Sequence, residues 1–121
     1  MRSLFLLAAL PLAASVHAAD PDAYRIRNAA DLVYICSTPS SAPDHATATA
    51  FCHGVLAGAY NYYAASTAEA DRFVCVPDPA PTRSKVAGDF VAWANARPQF
   101  MKSGAIDTLF RFAAEAFPCR K

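Results

Sequence analysis

The sequence predicts an all-α fold, a small four-helix bundle-like domain held by two disulfides. Apolar residues recur at spacings of three and four in four separate stretches, the period of a helix with one buried face. Prolines and capping side chains fall between those stretches, where helices must stop and start. Four cysteines follow an apolar leader, the pattern of an exported chain whose thiols are oxidised in pairs.

The leader occupies residues 1–18. Arg2 supplies the positive start, Ser3 to Ala14 is mostly Leu and Ala, and Val16-His17-Ala18 places small residues at a cleavage site. Its apolar run is too short to span about 30 Å of hydrocarbon, so it reads as a signal peptide cut after Ala18 rather than as a membrane anchor. Cleavage takes the 121-residue chain to residues 19–121, a length that suits a single helical domain.

In the mature chain Asn28 and Asp31 mark the first helix start, a cap followed by an acid in the first turn. Ala29, Leu32, Val33 and Cys36 then repeat at helical spacing, and the helix ends near Ser37. Pro39 and Pro43 define a loop, and Asp44 is placed to cap a second helix over residues 45–65. That helix is apolar on most sides, with only His53 and Asn61 giving a polar edge, so it is expected at the buried centre. Glu69, Asp71 and Arg72 mark a surface turn, and Phe73-Val74-Cys75-Val76 is a short apolar run. Pro77, Pro79 and Pro81 make the next connector rigid.

Thr82 or Ser84 caps the third helix, whose face is Val86, Phe90, Trp93 and Ala94, and Pro98 stops it. Ser103 is the natural cap of the last helix, with Ile106, Leu109, Phe110, Ala113 and Phe117 inward and Asp107 placed to pair with Arg111. Pro118 ends it beside Cys119.

Four cysteines allow three pairings, among which sequence alone does not choose. An up-and-down bundle brings the end of the first helix beside the start of the second, favouring Cys36 with Cys52. It brings the end of the second to the pole where the last helix finishes, favouring Cys75 with Cys119.

Gly54 and Gly58 lie four apart on the second helix. Each costs about 1 kcal/mol relative to Ala in a helix interior, so a tight helix crossing is expected there, and Gly58→Leu should impair folding. Tyr60, Tyr62 and Tyr63 cannot share one face. At least one should point outward, as tyrosine does at interfaces, unless the rings pack inward with hydroxyls at the surface.

Little else points to chemistry. Cysteines at least sixteen positions apart lack the close pairing of a zinc site, and no haem-attachment motif is present. His45 and His53 sit about 12 Å apart along one helix, too far to chelate one metal. Cys52 beside His53 points about 100° away from it on a helix, and Asp89 and Glu115 lack a second acid. No catalytic residue, metal site or cofactor is therefore expected. A formal net charge of +1 argues against nucleic acid or an anionic membrane surface as partner.

The ordered set of Cys36, Cys52-x-Gly54-x-x-x-Gly58, Cys75-Val76-Pro77 and Phe117-Pro118-Cys119 resembles the Rap/Tai family of periplasmic immunity proteins. The likeness runs from about Asp31 to Cys119. It implies a non-catalytic, often homodimeric protein that binds a peptidoglycan-amidase effector delivered by type VI secretion and blocks its active-site cleft. The exposed connectors 37–44 and 67–81 are then the candidate toxin-facing segments. The alternatives are a periplasmic acid-stress chaperone and an exported interaction domain without a toxin partner.

Overall fold

Caps and prolines set where the helices begin and end. A computed structural model describes residue 22 and residues 24–120, and the expected signal peptide lies outside the described residues. The elements are α1 (Ala29–Cys36), α2 (His45–Ser66), α3 (Arg83–Asn95) and α4 (Ala105–Ala116), with 3-10 turns at Glu69–Asp71 and Pro98–Phe100. Among the described residues the sole extended pairing is an isolated antiparallel bridge between Val74 and Pro118. The fold is all-α.

Both predicted disulfides form. Cys36 bonds to Cys52 and Cys75 to Cys119, each pair where the up-and-down arrangement brings it. Loop closure over sequence separations of 16 and 44 is worth roughly 3 and 4 kcal/mol in a chain-entropy model. Such bonds belong to an oxidising compartment.

The first helix, eight residues long, is the centre of the domain. It packs against α2, α3 and α4 and buries Ala29, Leu32, Val33 and Ile35. Its N-terminus is satisfied from two directions. Asn28 Oδ1 accepts from the Asp31 amide at 3.1 Å, while Asp31 Oδ2 accepts from the Arg27 amide at 2.9 Å, a variant of the capping box. The Ala29 and Ala30 amides then donate to the carbonyls of Ser103 and Met101 at 2.9 and 3.0 Å, so a turn far downstream in the chain closes the first turn of α1. Phe90 and Phe112 from α3 and α4 meet edge to face, 5.8 Å between centroids, in the same core.

Two expectations for α2 are corrected. It is not the buried centre: of its 22 residues only Ala48, Cys52, Leu56 and Tyr63 are buried. Gly54 and Gly58 are exposed, and a Cβ at either position meets nothing within 4 Å, so none of the described helices crosses there. The cause is geometric. Twenty-two residues run about 33 Å, whereas its neighbours have 8, 13 and 12 residues and cover one side of it. A helix rich in Ala, Gly and Thr lacks charge without having much apolar area to bury.

The last helix is turned by about one residue from the expected face. Ile106 is 44% exposed, whereas Thr108 and Phe112 are buried. A buried threonine interrupts the apolar pattern and shifts the face read from sequence. Ser103 does not cap α4. Gly104 is the N-cap, with no side-chain bond, because the Ser103 carbonyl serves α1 instead. Asp44 stands at the N-cap of α2 without capping it, and its carboxylate accepts from the Tyr24 hydroxyl at 3.2 Å. Thr82 does cap α3, accepting from the Lys85 amide at 3.2 Å.

Candidate partner-binding surfaces

The segment after α2 is fixed by the residues at its start. Tyr63 is buried, and its hydroxyl accepts from the amides of Phe73 and Val74 at 2.7 and 3.1 Å. Arg72 folds back to donate to the carbonyls of Ala64 and Thr67 at 2.7 and 3.3 Å, satisfying orphan acceptors at the C-terminus of α2. The Cys75 amide donates to the Phe117 carbonyl at 2.8 Å, beside the Cys75–Cys119 bond. The connector 72–81 is thereby held at its base, while Phe73 stays 51% exposed and residues 77–80 face solvent.

This held connector walls an apolar groove of about 310 Å³. Leu56, Ala57, Tyr60 and Asn61 line it from α2, Val74, Val76, Ala80 and Pro81 from the connector, and Arg83 and Val86 from α3. Leu109, Phe110, Phe112 and Ala113 of α4, with Phe117, complete it. A second concavity of about 390 Å³ continues past Val76 and Phe117, which line both, to Cys75, Pro118 and Arg120. No single stretch announces this groove, because its walls come from three helices and a loop. The one outward signal was the three-proline connector Pro77, Pro79 and Pro81.

The other connector, 37–44, leaves the opposite end of α2. The Thr38 carbonyl lies 2.9 Å from His45 Nδ1 and the Ala42 amide donates to the Pro39 carbonyl at 2.9 Å. Partial desolvation, followed by the neighbouring Asp44 carboxylate, holds the Tyr24 phenol above its usual pKa. Between the two connectors runs the open face of α2, with Gly54, Gly58 and Tyr62 exposed, Tyr62 at 77%. No residue of α2 carries a formal charge. The tyrosine group thus divides, Tyr63 inward and Tyr62 outward, with Tyr60 half-buried at the groove.

Cys52, Asp89, Asp107 and Glu115 are engaged within the fold. Cys52 is in a disulfide and has no thiol. Asp89 pairs with Lys85 at 2.7 Å, and Asp107 with Arg111 at 2.9 Å as its spacing foretold. Glu115 accepts from Trp93 Nε1 at 2.8 Å and from Arg97 at 3.1 Å, with the Arg97 guanidinium 4.3 Å above the indole. Among the described residues no group of three or more His, Cys, Asp or Glu is placed to hold a metal ion, and no helix is long and apolar enough to cross a membrane.

A family model described as Rap1a immunity proteins matches residues 28–119. The chain belongs to the Rap1a immunity protein family. The match begins at the α1 N-cap and ends at the last disulfide cysteine, so it takes in the whole helical domain and both connectors. No curated protein and no solved structure matches the chain. Membership in the Rap1a immunity family implies a cognate toxin as partner, and the family is generally non-catalytic. The surfaces above are therefore to be judged by shape and charge.

Proposed function

We propose that this protein is a periplasmic immunity protein that binds a peptidoglycan-amidase toxin delivered by type VI secretion and blocks its active-site cleft. The family match over residues 28–119 carries this reading. Residues 1–18 act as the signal peptide, cleaved after Ala18, and residues 19–121 form the working domain. The protein does no chemistry of its own. It needs a rigid surface complementary to the toxin, and two disulfides with a hydrogen-bonded connector supply preorganisation, which lowers the ordering cost of binding.

The connectors 37–44 and 67–81 are the toxin-facing candidates. They leave opposite ends of a helix about 33 Å long, and a standard interface covers about 800 Å² per partner. One of them therefore forms the centre of the toxin contact. The open face of α2 between them is the place for a second copy in a homodimer. The test is co-purification from periplasm with candidate amidases, followed by peptidoglycan hydrolysis with and without excess protein. A tight complex with loss of hydrolysis is expected for one of them. Full activity of every amidase in the presence of excess protein would remove the inhibitor reading.

A further inference from the structure

The groove beside the three-proline connector carries a charge pattern that points to its occupant. Arg83 is the one formally charged side chain lining it. Among the described residues it has no hydrogen-bond or ion-pair partner, whereas Arg27, Lys85, Arg97 and Arg111 all do. Arg83 is also the first residue of α3, where a cation opposes the helix dipole. An arginine that is unfavourable locally and unpaired internally breaks a rule with no compensation inside the fold, as residues kept for a partner do.

The second concavity, which shares Val76 and Phe117 with the groove, is also lined by Arg120, exposed and likewise unpaired among the described residues. Among the described residues no carboxylate lines either concavity, and Asp78 of the connector lies outside both linings. An apolar groove lined by one unpaired arginine, adjoining a more polar concavity lined by another, complements an apolar side chain with acids beside it.

We infer that this groove is an anchor pocket for a segment of a partner protein in which an apolar, preferably aromatic, side chain is flanked by carboxylates. The apolar group seats against Leu56, Val86 and Phe110, and the carboxylates pair with Arg83 and Arg120. Interfaces concentrate their affinity in such pocketed anchors, and arginine pairs with carboxylate through a planar fork. A protein segment is favoured over a metabolite because the family's partners are proteins. The polar lining is also too sparse for the convergent groups that orient a small ligand. The identity of that protein as the toxin rests on the function proposed above. The pocket itself does not.

The test is an NMR titration of the full chain with three blocked tripeptides, Glu-Phe-Glu, Gln-Phe-Gln and Glu-Ala-Glu, following the amides of Ala57, Val86 and Ala113. Glu-Phe-Glu should shift these signals saturably and bind at least about tenfold more tightly than either analogue. Arg83→Gln should keep the melting temperature and reduce the preference for Glu over Gln, leaving the share that Arg120 supplies. Ala57→Leu, which fills the groove, should weaken all three. Absence of groove shifts, equal binding of the three peptides, an unchanged preference in Arg83→Gln, or tighter binding of octanoate would each overturn the assignment.

An amidase that binds the parent chain gives a second arm. Equal binding to the parent and to Arg83→Gln would refute the pocket and leave the inhibitor reading standing. If no amidase binds at all, the inhibitor reading falls and the peptide titration still decides the pocket.

Discussion

The helices α1 and α2 share the Cys36–Cys52 bond and differ in almost everything else. The first has 8 residues and the second 22, yet each buries four. Short and packed against all three other helices, α1 has both solvent-facing and core-facing demands met within two turns. Long and flanked on one side, α2 keeps a full-length open face. Apolar content does not rank helices by burial. What ranks them is how many neighbours can reach them, a property of lengths and order along the chain.

The sharpest way to break this comparison is to truncate a side chain at the centre. Leu32 is fully buried in α1, and Leu32→Ala should cost about 2–5 kcal/mol of stability, read as a fall in the denaturant midpoint. Tyr62→Ala on the open face of α2 removes a larger side chain and should move stability by less than about 0.5 kcal/mol. Similar losses for the two would show that α1 is not the centre.

Gly58 gives the next largest effect, with the opposite sign. Its backbone has no positive φ, and there is room for a Cβ. Gly58→Ala should therefore stabilise by about 0.5–1 kcal/mol, and Gly58→Leu should fold. Stabilisation measured together with weakened self-association in a sedimentation experiment would place the second copy on this face. Destabilisation in a monomeric sample would show that the face is covered within the chain.

Much of the fold was legible because it is local. Asn28, Thr82, Pro43 and Pro98 act through neighbours a few residues away, and each sets a helix end as read. The cysteine pairs were legible because helix order alone fixes which ends meet. What escaped depended on distant partners. Ser103 looked like a cap until its carbonyl was needed by Ala29. The face of α4 was misread because Thr108 is buried with its hydroxyl unpartnered, a cost that no sequence pattern advertises. The groove escaped for the same reason: Leu56, Val76, Arg83 and Phe110 converge only in three dimensions, and Arg83 by itself resembles any exposed arginine.

The smallest effect tests how firmly the start of α1 is held. The Arg27 amide donates to Asp31 Oδ2, and the Arg27 guanidinium lies 3.3 Å from the same oxygen. That backbone hydrogen bond first, and the guanidinium with it, lowers the Asp31 pKa below the usual carboxylate value against a smaller opposing desolvation. A pKa lower in the folded than in the unfolded state means that the unfolded chain binds its proton first as pH falls. The Asp31 contribution is therefore complete above the ordinary carboxylate range near pH 4. It is lost as pH falls through the lower folded value. Asp31→Asn should be less stable than the parent at pH 7, and the gap between their unfolding midpoints should shrink below pH 4. A gap that stays constant into acid would mean that side-chain shape and the neutral hydrogen bond hold this cap, with the carboxylate charge contributing nothing.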